Sequence, residues 1–202
     1  MKYDTLLIKC TFDLTSRFMQ ELQKGFYISS FEGNTIYSFL TDSCGISDMY
    51  ITSALKTVLV DGGPVDDIFN SKIKDGGVCA LSGAMPGIVG AMMRIGSPYA
   101  AMRQSITAKN DEIIESGVEI NFGLKLFNII LSDLGLEFLK KGILLDKQRI
   151  YELFNKPCDD IYSGCTEIIL NGHTLKKNES IYERINKKNK LLIFKIEIED
   201  EI

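Results

Sequence analysis

The feature that most limits what this chain can fold into is residues 75–103, DGGVCALSGAMPGIVGAMMRIGSPYAAMR, which hold six glycines and two prolines. Within it, residues 76–93 form a charge-free run of 18, a length at which a membrane-spanning helix has to be considered. Composition argues against that helix. Glycine in a helix interior costs about 1 kcal/mol and proline about 3, and this run carries Gly76, Gly77, Gly83, Gly87, Gly90 and Pro86. The pattern predicts a buried strand at VCAL, a glycine turn at SGAMPG and a short helix at IVGAMMR, with Pro86 tolerated in its first turn. Ser97-Pro98 reads as a second helix start.

That grammar has a chemical consequence. Helix N-termini present unpaired N–H groups and a partial positive charge, and glycine allows close approach to the backbone. Arg94 and Arg103 are the only charged residues between positions 76 and 103, and a planar guanidinium suits carboxylate or phosphate. The sequence therefore nominates Ser82, Gly83, Gly87, Arg94 and Arg103 as ligand-binding residues for a small anionic metabolite. Neither G-x-x-x-x-G-K-[ST] nor G-x-G-x-x-G is present, so ATP and NAD are not implied. The competing reading belongs to another class: small residues let elements pack closely, and Met85, Met92, Met93 and Met102 suit the contact surface of a non-catalytic homo-oligomer or complex subunit.

Other candidates are weaker. Cys79 lies inside the apolar VCAL strand, where a thiol packs rather than reacts, and Ser82 is not embedded in G-x-S-x-G. His173, the single histidine, adjoins the Asn171-Gly172 turn and reads as a surface residue; one imidazole excludes zinc sites that need two or three. Asp66 and Asp67 follow Pro64 as first-turn acids of a helix, with metal ligation as the alternative. The residues assign no catalytic group, metal site, cofactor or reaction.

Composition bounds the rest. A chain of 202 residues with 45% hydrophobic and 25% charged residues builds one medium domain, or a main domain with a small appendage. Net charge −4 and a pI near 5.2 give no basic field for nucleic acid or an anionic membrane. Five scattered cysteines without C-x-x-C indicate reduced thiols. The first residues lack a secretory apolar region, so the expected location is cytoplasmic.

The element order predicts a mixed fold, α/β or α+β, with sheet order open. A principal domain is expected over residues 1–156 and a small β-rich module over 165–202, joined by PCDDIYSG. Specific expectations are an opening strand at YDTLLIKCTF and a short helix at DLTSRFMQELQKG. A hairpin follows at FYISSF-EGN-TIYSFL, then a helix from Ser47 to about Leu59 and another at VDDIFNSKIK. Beyond the glycine-rich run come a strand at GVEINF and a helix whose face carries Leu124, Phe127, Leu131, Leu134 and Phe138, ended by Gly142. Asp146 caps KQRIYELFNK. The Asn171-Gly172 hairpin, a short ESIYERI helix, a KKNK turn and the strand LLIFKIEIE complete the chain, with Leu192, Phe194, Ile196 and Ile198 on one face.

Overall fold

The computed structural model describes residues 3–103, 117–155, 161–176, 181–185 and 189–199. Strand β1 (Asp4–Cys10) leads through α1 (Phe12–Lys24) to β2 (Phe26–Phe31). A helical turn, α2 (Ile36–Ser38), runs into a π-helical turn (Phe39–Ser43), followed by α3 (Asp48–Ala54). Three strands come next, β3 (Thr57–Val60), β4 (Gly63–Pro64) and β5 (Val78–Ser82), then α4 (Gly87–Met93) and a 3₁₀ turn (Ala100–Arg103). Strand β6 (Glu119–Phe127) passes directly into α5 (Asn128–Lys141), and β7 (Ile143–Asp146) into α6 (Lys147–Phe154). A 3₁₀ turn (Ile161–Gly164), β8 (Cys165–Leu170), β9 (His173–Thr174), α7 (Ile181–Arg184) and β10 (Leu191–Ile198) complete the order. The class is mixed α and β, as expected from the sequence. No helix among the described residues is long and apolar enough to cross a membrane.

Contacts group the chain into two compact units, residues 1–21 with 136–202, and residues 22–135. The first unit contains strands in the order β7-β10-β1-β8-β9. β1 and β10 run parallel with Leu6 opposite Phe194 and Ile8 opposite Ile196, while β8 pairs antiparallel to β1 and β7 to β10. One face of these strands is apolar and buried through Leu6, Ile8, Leu192, Phe194 and Ile196, the alternation the sequence predicts for LLIFKIEIE. Phe18 of α1 meets Phe194 edge to face at 5.2 Å. Within the segment expected as a small β-rich module packed on the principal domain, β8 and β10 both pair with β1. The linker expected at 157–164 lies outside the described residues up to 160, and its last four residues form the 3₁₀ turn.

The second unit orders its strands β4-β3-β5-β6-β2. β5 and β6 are parallel with Ser82 opposite Phe127; β3 and β2 flank them antiparallel. Phe39 and Phe122 stack edge to face at 5.0 Å in its core.

Four local expectations are corrected here. FYISSF is a strand, but TIYSFL is helical: the Thr35 hydroxyl accepts the Ser38 N–H at 3.0 Å and starts α2, and β2 pairs instead with distant β6. Ser47 caps α3, yet the helix ends at Ala54 because Thr57, Val58 and Val60 enter β3. VDDIFNSKIK is not helical. There the Asp67 carboxylate accepts the N–H groups of Phe69 and Asn70 at 3.0 and 3.1 Å, closing a local turn in place of a helix start. Leu124 and Phe127 belong to β6, and α5 begins at Asn128.

Candidate functional site

The glycine-rich segment begins where β5 ends. Because β5 and β6 are parallel neighbours, their C-terminal ends lie on one edge, the position where open α/β sheets place ligands. The Asn128 side-chain amide donates to Ser82 Oγ at 3.0 Å, and Asn128 itself takes a left-handed φ of 53°, which short polar side chains tolerate. Ser82 is only 5% exposed. Gly83 is buried, and a Cβ there would fall 2.5 Å from Ile129 Cγ2; its glycine identity serves close packing of the turn on the first turn of α5.

Beyond the turn the chain comes to the surface. Gly87 is exposed with φ 78° and open space where a Cβ would stand. Gly90 is buried, and a Cβ would lie 2.3 Å from the Met85 carbonyl oxygen, so α4 rests directly on the backbone of the turn that precedes it. Exposed Arg94 donates from Nη2 to that same Met85 carbonyl at 3.3 Å. Sequence reasoning placed Arg94 near the turn, and it is there.

Arg103 has a different position. It is 1% exposed; Nη2 meets Asp66 Oδ1 at 2.6 Å and the Arg94 carbonyl at 3.2 Å, while Nε donates to the Met92 carbonyl. Asp66 Oδ1 also accepts the Gly96 N–H at 3.1 Å. The guanidinium therefore ties the end of the glycine-rich segment to the 66–67 turn, and Asp66 is its counter-ion rather than a helix-start acid or metal ligand. Ser82, Gly83, Gly87 and Arg94 are gathered around one turn and helix, whereas Arg103 is committed to internal partners.

The outer surface of the segment is apolar. Ile88 is 79% exposed, Val89 63%, Tyr99 52% and Met102 70%. Exposed apolar residues scattered singly need no explanation, whereas a concentration of them does.

The remaining sequence candidates resolve as follows. Cys79 is fully buried and its thiol is pushed up to about 12, by desolvation first and then by Asp61, which suits packing. His173 is exposed in β9, beside the turn formed by Asn171 and Gly172. Cys158 lies outside the described residues. Among the described residues no group of three or more His, Cys, Asp and Glu is placed to hold a metal ion. Sequence reasoning missed Asn128 as partner of Ser82, Asp66 as partner of Arg103, and the Tyr50 hydroxyl donating to Asp133 at 2.7 Å. Burial, followed by that hydrogen bond, pushes the Tyr50 hydroxyl pKa above its ordinary value. These pairs are 46, 37 and 83 residues apart, with no local pattern to reveal them. Comparison with protein-family models, with curated proteins and with solved structures finds no match.

Proposed function

We propose that residues 84–102 form a contact surface through which this chain assembles, with a second copy of itself as the partner. The observation that carries the reading is the exposure of Ile88, Val89, Tyr99 and Met102 within 15 residues whose sole charged side chain is Arg94. Burying such side chains contributes roughly 25 cal/mol per Å² of apolar area removed from water, and Met and aromatic residues are enriched at interface centres. The Arg103–Asp66 staple supports it by holding the segment in one conformation before contact, which reduces the entropy lost on association. Closed pairs of identical chains are the commonest soluble oligomers. Light scattering coupled to size exclusion tests the reading: a dimer or larger species that Ile88→Asp with Met102→Asp reduces to monomer supports it, and a wild-type monomer at high concentration overturns it.

A second reading has its own support. Adjacent parallel strand ends, the exposed Gly87 and the exposed Arg94 guanidinium sit together, and an anionic metabolite would meet the backbone at Gly87 and the charge at Arg94. Thermal stabilisation by phosphate, nucleotide or carboxylate metabolites, abolished by Arg94→Ala, is the corresponding expectation.

A further inference from the structure

A groove of about 790 Å³ lies in the unit formed by residues 1–21 and 136–202, lined by side chains of β1, β10, the start of α1 and the C-terminal half of α5. This volume falls within the roughly 300–1,000 Å³ of small-molecule sites. Its apolar walls include Leu7, Leu136 and Phe12, and Phe12 is 66% exposed. Two ammonium groups, on Lys140 and Lys195, share the groove with one carboxylate, Glu197.

The charges are not balanced pairwise. Glu197 stands opposite Lys9 in the β1/β10 register and acts on that lysine electrostatically. Lys195 stands opposite Leu7, and no acidic side chain among the described residues bridges it. Among the described residues Lys140 meets Glu137 at 3.9 Å, one turn away on an exposed surface, a contact worth little in water.

The stem of Lys195 lies over the end of α5. A Cβ at Gly142 would fall 2.8 Å from Lys195 Cγ and 3.1 Å from Cδ, so the glycine that ends α5 also makes room for the lysine stem. The Lys195 stem thus packs over Gly142 beside the groove, and a lysine can lay its methylenes on such a surface while its ammonium reaches an anion.

We propose that this groove binds a free linear carboxylic acid as its carboxylate, the chain against Leu7, Leu136 and Phe12 and the head at Lys195 and Lys140. Two ammonium groups beside apolar walls complement a monoanion with an apolar body, the walls taking the chain and the point charges the carboxylate.

The test is displacement of a fluorescent fatty-acid analogue from the full chain by decanoate, decanol and acetate, each below its aggregation limit. Decanoate is expected to compete about tenfold better than decanol, the size of one charge-assisted contact, and acetate not at all. Lys195→Met removes the decanoate advantage and leaves decanol unchanged, while Lys195→Arg retains it; circular dichroism of both variants establishes that they fold. Equal competition by decanoate and decanol, an unchanged preference in Lys195→Met, or absence of displacement overturns the proposal. So does binding only to phosphatidylglycerol vesicles, which would identify a membrane surface instead. If Lys195→Met does not fold, Lys140→Met carries the same comparison, with loss of the decanoate advantage supporting the proposal and its retention overturning it.

Discussion

At the scale of single residues, Arg103 separates the two roles an arginine at the edge of an apolar run can have. A guanidinium reaching a ligand would retain access to solvent, whereas this one is 1% exposed and faces Asp66 and two carbonyls. Removing one partner of such a pair leaves a desolvated group uncompensated. Arg103→Met is expected to destabilise the chain by about 3 kcal/mol in urea unfolding. Asp66→Asn should cost about 1–2 kcal/mol, since that carboxylate is partly solvated. A loss below measurement error for Arg103→Met would return the side chain to the surface. The sequence made Arg103 conspicuous through its isolation among uncharged residues, but its partner lies 37 positions away in a turn whose aspartates read locally as a helix start.

The cross-strand pair Lys9 and Glu167 gives a residue-scale prediction in pH. Hydrogen bonds from Lys9, at 2.8 Å, and then from Thr174, at 2.9 Å, lower the Glu167 pKa from its ordinary 4.5. A carboxylate whose folded pKa is depressed stabilises the fold fully above its unfolded value and loses that contribution as pH falls through the folded one. Stability measured by urea unfolding should therefore decline below about pH 4.5 for wild type and decline less steeply for Glu167→Gln; identical slopes would remove Glu167 from the acid response. For the thiols, Cys79 pushed up to about 12 and buried Cys10 pushed up to about 11 predict slow native-state reaction with an aromatic disulfide reagent, followed by mass spectrometry. Cys165, half-buried, should label before either.

At the scale of elements, glycines carry the local design of the segment, and they differ in why they are glycine. Gly87 needs only its positive φ, with open space around it, so Gly87→Ala is expected to cost about 1 kcal/mol. A Cβ at Gly90 would fall on the carbonyl group of Met85, backbone that cannot yield as a flexible side chain would. Gly90→Ala should therefore lift α4 off the turn and increase proteolytic cleavage between residues 84 and 95, an effect absent from Gly87→Ala. Elements whose signals are local were legible in the sequence: the strand-turn-helix from 78 to 93, the Asn171-Gly172 hairpin, and the caps at Ser47 and Asp146. Elements chosen by distant partners were not. FYISSF had an apparent neighbour three residues away, yet β2 pairs with β6 some 90 positions later, as Ser29 opposite Asn121 illustrates. Leu124 and Phe127 matched a helical spacing because a strand running into a helix continues the apolar pattern across the junction.

At the scale of the whole molecule, the sequence could indicate an α and β composition but not which strands lie together. Parallel pairing of β1 with β10 joins residues near opposite ends of the chain, and no pattern within either strand specifies that choice. The unusual segment itself was legible, since glycine, methionine and the absence of charge marked it; which side chains it turns outward depended on the fold. Ile88, Val89, Tyr99 and Met102 are exposed, and they are the side chains through which we propose that copies of this chain meet. The most direct measurement is hydrogen–deuterium exchange of peptides covering residues 84–103 at low and high protein concentration. Protection of this segment is expected to rise with concentration, and Ile88→Asp with Met102→Asp to abolish the rise. Exchange independent of concentration, in a protein that remains monomeric, would contradict it.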